Sequence, residues 1–172
     1  MNDACQTAFS ANAAGNNIQS KTTSGEGSSL KVTSTSCTDV AGNTATGIDS
    51  ASFKIDKTAP TVIGVKPAAE AKDTSRATNV VATFSEKMQQ STLTNPANFK
   101  LYKVTAAGPV QITNVTVTPN LAGTQATLNP YGSSTTLLAK NTRYKAVLTT
   151  GVEDLAANAM AANKVWYFRT VS

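Results

Sequence analysis

The chain has 172 residues, of which 15% are charged and 6% aromatic, and it contains no histidine. Without histidine, neither a Ser-His-Asp triad nor a Cys-His pair can form, and no apolar run approaches the roughly 18 residues of a membrane-spanning helix. The net charge is +5, but the Lys and Arg residues are scattered rather than clustered with aromatic residues, which disfavours a nucleic-acid surface.

The first 57 residues predict about three strands, at residues 17–23, 29–35 and 50–55. The segment also holds both cysteines, Cys5 and Cys37. An even cysteine count confined to one segment of a secreted protein indicates a disulfide, and two buried thiols are the alternative. With no histidine and no third thiol, a metal site at these cysteines is disfavoured.

A short connector is predicted at residues 58–61, between a segment at 1–57 and a second segment at 62–172. Pro60 removes a backbone donor and pushes the preceding residue toward extended geometry. We therefore expect a short, stiff connection rather than a flexible Gly/Ser linker.

The second segment shows apolar alternation at the regular spacing of an all-β sandwich. We expect one helical turn at most within residues 85–98, and a loop with at most a single turn at residues 153–162. Tyr144 begins the penultimate strand, where Ig-like sandwiches place a tyrosine whose hydroxyl bonds to upstream backbone. An ordinary core tyrosine is the alternative. The predicted strands are residues 61–66, 79–84, 99–104, 110–118, 124–128, 142–149 and 164–171.

A five-residue motif occurs twice, as DVAGN at 39–43 and as DLAAN at 154–158. Each copy lies between two predicted strands. A strand–loop–strand unit that recurs at domain-sized spacing indicates tandem modules.

Several motifs together carry a family resemblance: VVATFSEKM at 80–88, NPANF at 95–99, LAKNTRY at 138–144, GVEDLAAN at 151–158 and WYF at 166–168. In this order they make residues 61–172 similar to the bacterial Ig-like domain of the surface-layer (SbsA) type. Residues 5–60 resemble the C-terminal part of another bacterial Ig-like repeat, through CTDVAGN at 37–43 and the IDKTAPT junction that begins at residue 55. The resemblance implies an all-β chain of tandem Ig-like sandwiches, the first partial or reduced.

One residue departs from the family pattern. The family usually has glycine where this chain has Ala157, and a positive φ is unfavourable for alanine. The sequence therefore argues against a tight left-handed turn at this position.

The resemblance also implies a spacer in a secreted or surface-anchored bacterial protein, next to other Ig-like repeats. From the residues themselves we expect no catalysis, no membrane insertion and no nucleic-acid binding. The alternative is an accessory module that binds carbohydrate or protein. Sugar sites use exposed aromatic rings, for which Tyr102, Tyr131 and one residue of 166–168 are candidates. The scattered basic residues indicate a solvated surface, or a weak attraction to an anionic polysaccharide.

Calcium is the metal that the sequence favours, because Ca²⁺ takes six to eight oxygen ligands from carboxylates, amides and carbonyls. The second motif copy is expected to lie near the connector, so that carboxylates converge there. In the alternative, Asp and Asn of the motif bond to their own backbone and shape a turn without metal. The candidate ligands are Asp56, Glu86, Glu153, Asp154 and Asn158.

Overall fold

The computed structural model describes residues 10–11, 17–18, 25–31, 37–38, 42–45, 50–132 and 137–172. The chain divides into two compact units, Met1–Lys57 and Thr58–Ser172. The described residues are almost entirely in strands and loops, with one short helix, so the predicted all-β class is confirmed. In this part of the chain, no helix is long and apolar enough to cross a membrane.

The first unit contains short antiparallel pairs. β1 pairs with β2, β3 with β6, and β4 with β5. Cys37 begins β4, but Cys5 lies outside the described residues, so the disulfide between them stays a prediction. The strands are β1 (Ser10–Ala11), β2 (Asn17–Ile18), β3 (Gly27–Leu30), β4 (Cys37–Thr38), β5 (Thr44–Ala45) and β6 (Phe53–Ile55).

The second unit is a sandwich of two sheets. One sheet has the strand order β11-β10-β14-β15-β8, and the other has the order β12-β13-β9-β7. All neighbours are antiparallel except β15 and β8, which run parallel. The elements are β7 (Val62–Lys66), β8 (Ala71–Thr74), β9 (Val80–Phe84), α1 (Gln90–Thr94), β10 (Phe99–Thr105), β11 (Gly108–Gln111), β12 (Thr116–Pro119), β13 (Gln125–Asn129), β14 (Arg143–Leu148) and β15 (Lys164–Thr170).

The core of this unit follows from the period of two along each strand, because successive side chains of a strand point to opposite faces. In β14 the buried residues are Tyr144, Ala146 and Leu148, as the alternation predicts. In β15, Trp166 and Phe168 are buried. Phe99 of β10 and Trp166 of β15 lie on the core face of the same sheet, with ring centroids 5.9 Å apart.

Two details of the strand prediction are wrong. The strand predicted at 110–118 is in fact β11 in one sheet and β12 in the other, and Asn114 between them has a φ of 61°. The parallel strand β8 was not predicted. Glu70 and Asp73 at its ends have φ values of 58° and 56°, and its sequence AKDT has little β propensity.

Both expectations about helical content in this unit agree with the structure. The single turn expected within residues 85–98 is α1, which buries Leu93. Residues 153–162 form a loop with two isolated bridges, one from Met88 to Asp154 and one from Glu153 to Ala159.

Candidate functional site

The loop between β14 and β15 is built around a buried carboxylate. Asp154 is only 1% exposed. Its Oδ1 accepts the backbone N–H groups of Ala156 at 2.7 Å and of Asn158 at 2.8 Å, and its Oδ2 accepts the side-chain amide of Asn158 at 2.8 Å. The first and last residues of the DLAAN motif therefore hold the loop's own backbone, which is the turn-shaping role that the sequence left open.

The fourth motif position is left-handed in both copies. Ala157 has a φ of 65°, and Gly42 at the equivalent position has a φ of 90°. The expectation against a left-handed turn at Ala157 is wrong. The Asp154 carboxylate fixes the backbone on both sides of Ala157, since it binds the N–H groups of residues 156 and 158, and these bonds offset the strain.

Two of the predicted calcium ligands come together in the second unit. Glu86, which follows β9, and Asp154 each have a carboxylate oxygen within 4.8 Å of the other. The neighbouring Glu153 makes hydrogen bonds through its backbone. Its N–H donates to Thr92 Oγ1 at 3.1 Å, and its carbonyl accepts the N–H of Gln89 at 2.8 Å.

The remaining two candidates also make contacts within their own units. The side-chain amide of Asn158 donates to Asp154. Asp56 belongs to the first unit, where its Oδ2 lies 2.7 Å from Nζ of Lys54. Because Ca²⁺ needs six to eight oxygens, calcium binding at these residues stays a prediction.

The predicted tyrosine corner is present at the start of β14. The backbone N–H of Ala139 donates to the Tyr144 hydroxyl at 2.8 Å, and the Tyr144 ring stacks on Phe168 with centroids 5.5 Å apart. Burial raises the pKa of the Tyr144 hydroxyl, against the opposing effects of the Ala139 hydrogen bond and the Arg76 charge. The hydroxyl oxygen, as the acceptor of the Ala139 N–H, holds the preceding loop against the core.

Tyr131 also contacts backbone groups through its hydroxyl. Its ring is therefore not the exposed ring that the carbohydrate hypothesis requires. Its hydroxyl lies within hydrogen-bonding distance of the carbonyls of Arg76 and Thr78, the latter at 3.0 Å. Burial raises the pKa of the Tyr131 hydroxyl; Tyr144 adds to the rise and the Arg76 charge opposes it. Tyr131 is half-buried against the core.

The outer face of the five-stranded sheet carries the other two aromatic candidates. Tyr102 in β10 is paired with Lys145 in β14, which is paired with Tyr167 in β15. We call these three residues the tyrosine row. Tyr167 lies between the buried Trp166 and Phe168, so it is the member of the WYF run that points outward.

A pocket of about 440 Å³ lies beside the tyrosine row, where β15 meets β8. Its charged lining consists of Glu70, Lys72, Arg143 and Arg169, and we call these four residues the basic pocket. Arg143 joins the two features, because its guanidinium lies 4.3 Å from the Tyr167 ring centroid. This grouping was not predicted, because it depends on a cross-strand register and on a strand that the sequence pattern does not reveal.

Comparison with known proteins places this fold in context. The model of the family described as a bacterial Ig-like domain matches residues 56–170, which confirms the resemblance inferred for residues 61–172. No curated protein matches the chain.

Similar solved structures are a crystal structure of the S-layer protein rSbsC(31-844), a structure of surface layer protein SbsC covering domains 1-6, and a crystal structure of the N-terminal part of the bacterial S-layer protein SbsC. Each is 18% identical over 66% of this chain, with TM-scores of 0.46, 0.47 and 0.46. The chain spans 14%, 14% and 24% of those three chains.

Proposed function

Because the chain belongs to the bacterial Ig-like domain family, we propose that it is a non-catalytic spacer that transmits tension in a secreted or surface-anchored bacterial protein. Its partners in that protein are neighbouring Ig-like repeats. A disulfide between Cys5 and Cys37 is part of this proposal, since disulfides persist outside the cytosol.

The parallel pairing of β8 and β15 carries the proposal. β8 lies near the N-terminal end of the second unit, and β15 is its last strand. The backbone N–H of Glu70 donates to the carbonyl of Tyr167 at 2.7 Å, and the N–H of Val171 donates to the carbonyl of Thr74 at 2.9 Å. The last strand of the unit is thereby bonded to its second strand, and the first strand, β7, pairs with β9 in the other sheet.

Tension applied to the chain ends acts on this pair in shear. β8 and β15 run in the same direction, so the chain enters β8 at one end of the pair and leaves β15 at the other. Each bond contributes only about 0.5–1.5 kcal/mol net. Bonds that lie side by side across the pulling direction must nevertheless break together, which makes the pair resistant to force.

The Asp154 loop supports the non-catalytic part of the proposal. General acid–base chemistry needs a carboxylate that can reach a substrate proton. Asp154 is buried, and both of its oxygens accept hydrogen bonds from residues of its own loop. A carboxylate used in this way stabilises the fold.

Single-molecule force spectroscopy on the whole chain tests the proposal. Unfolding of Thr58–Ser172 is expected as one event, with a contour-length gain equal to an extended length of about 400 Å, from the 3.3–3.6 Å span of an extended residue, minus the end-to-end distance of the folded unit. Val171→Pro removes the N–H that binds Thr74. We expect this variant to unfold at a clearly lower force than the unmodified chain.

The matched control is Leu128→Ala, in the buried face of the other sheet. This change creates a core cavity and should cost about 2–5 kcal/mol of stability. We expect Leu128→Ala to lower the melting temperature more than Val171→Pro does, yet to lower the unfolding force less. If Val171→Pro unfolds at the original force, the β8–β15 pair does not resist tension and the proposal fails.

A further inference from the structure

The outer face of the five-stranded sheet carries aromatic and cationic side chains that suit a binding surface. Neighbouring strands lie about 4.8 Å apart, so the backbone positions of Tyr102 and Tyr167, two strands apart, are separated by about 10 Å. Nζ of Lys145, which lies between them, is 5.9 Å from the Tyr102 ring centroid. The tyrosine row is therefore a strip that alternates hydroxyl-bearing rings with a cation.

The basic pocket adds an anion-binding end to this strip. Lys72, Arg143 and Arg169 contribute three positive charges, and Glu70 contributes one negative charge. Arg guanidinium groups bind carboxylate, sulfate and phosphate oxygens through paired N–H groups. The net charge of the basic pocket and its volume of about 440 Å³ suit an acidic substituent on a larger ligand.

The Glu70 carboxylate already occupies Arg143 in the way that a ligand anion would. Its two carboxylate oxygens accept hydrogen bonds from Nη2 of Arg143 at 3.1 and 3.0 Å. The ion pair is exposed, with 46% of the Arg143 side chain and 66% of the Glu70 side chain accessible to solvent. Exposed pairs of this kind contribute little to stability, so a ligand anion can replace Glu70 at Arg143.

We propose that this face binds an acidic polysaccharide, with an acidic group in the basic pocket and sugar hydroxyls along the tyrosine row. An open sheet face accommodates an extended polymer, and the positive pocket is complementary to its charge. Arg143 covers the Tyr167 ring and Lys145 approaches the Tyr102 ring, so neither ring is fully open for stacking. The sugar contacts proposed here are therefore hydrogen bonds to the tyrosine hydroxyls, not the ring stacking that the sequence predicted. Single-stranded nucleic acid fits less well, because it depends on stacking its bases on aromatic faces.

Titration of the full chain with defined polymers tests the proposal. The probes are polygalacturonate for carboxylates, dextran sulfate for sulfates, neutral dextran as the uncharged polymer, and oligo-dT as the nucleic acid. We expect at least one acidic polysaccharide to bind, neutral dextran not to bind, and oligo-dT to bind more weakly. The variant Arg143→Gln/Arg169→Gln should weaken the binding of the acidic polymer about tenfold or more, since it removes two charged donors.

The matched control is Lys66→Gln/Lys87→Gln, which removes the same net charge from exposed positions outside this sheet. It should change the affinity less than threefold. Glu70→Gln should strengthen binding several-fold, because it releases Arg143. Melting curves of all variants establish that they are folded.

Three results would overturn the proposal: no binding of either acidic polysaccharide, equal losses in the two double variants, or tighter binding of oligo-dT with the same dependence on Arg143 and Arg169. Equal losses would mean that only the net charge matters. The force experiment on Val171→Pro is independent of all three, so the spacer proposal and this one can fail separately.

Discussion

Ala157 has a left-handed backbone conformation, which is unfavourable for a residue with a Cβ atom. The left-handed region costs an ordinary L-residue roughly 1–2 kcal/mol, because Cβ approaches the following carbonyl oxygen. The first copy of the motif avoids this strain by placing Gly42 at the equivalent position. The Asp154 hydrogen bonds in the second copy stabilise the same turn without a glycine.

We predict that Ala157→Gly stabilises the protein by about 0.5–1 kcal/mol. The variant relieves the strain of a φ of 65°. Part of that gain is lost, because glycine makes the unfolded chain more flexible. Chemical denaturation, monitored by the fluorescence of the single tryptophan, measures the change in the free energy of unfolding.

The neighbouring Ala156→Gly is the control. Ala156 has no positive φ, so glycine there offers no relief and should destabilise by about 0.5–1 kcal/mol. Opposite signs for the two variants are the expected outcome. If both variants destabilise equally, the left-handed turn at Ala157 is not strained.

At the scale of single elements, the sequence predicted best where burial imposes alternation. The strands around Tyr144 and Trp166 were identified because every second residue enters the core. β8 was missed because its polar residues at the sheet edge lack that pattern. The split between β11 and β12 was missed because it depends on the left-handed Asn114 and not on apolar spacing.

The two buried tyrosine hydroxyls make the stability of this unit depend on pH in the alkaline range. Burial raises the pKa of Tyr144 and of Tyr131 above the value of the unfolded chain, near 10. Below that value both states are protonated and the full stability is present. Above it the unfolded chain loses protons first, so stability falls with rising pH until the folded-state pKa values are passed.

We predict that the free energy of unfolding is constant from pH 8 to about pH 9.5 and declines above it. Denaturant titrations at closely spaced pH values measure this decline. Tyr144→Phe removes one of the two groups and should show a shallower decline, with a loss of about 1–2 kcal/mol at neutral pH from the unpaired N–H of Ala139. An equally steep decline in the variant would mean that Tyr144 is not responsible.

At the scale of the whole molecule, the site could be predicted only in part. The residue types of the Asp154 loop were identified because a repeated motif marked them. The tyrosine row and the basic pocket were not, because a one-residue change of register would place Tyr102 or Tyr167 on the opposite face. Functional groupings across strands depend on pairings that local sequence does not encode.

The calcium hypothesis also concerns the whole molecule, because an ion that binds only the folded chain raises the free energy of unfolding of the fold as a whole. At a free Ca²⁺ concentration one hundred times the Kd, the gain is about 2.7 kcal/mol. The hypothesis predicts a higher melting temperature in millimolar CaCl₂ than in EDTA. Glu86→Gln should reduce that difference, since Glu86 and Asp154 are the two carboxylates that come together within the second unit, whereas Lys66→Gln should retain it. Equal melting temperatures in the two buffers would exclude the ion and leave loop shaping as the role of Asp154.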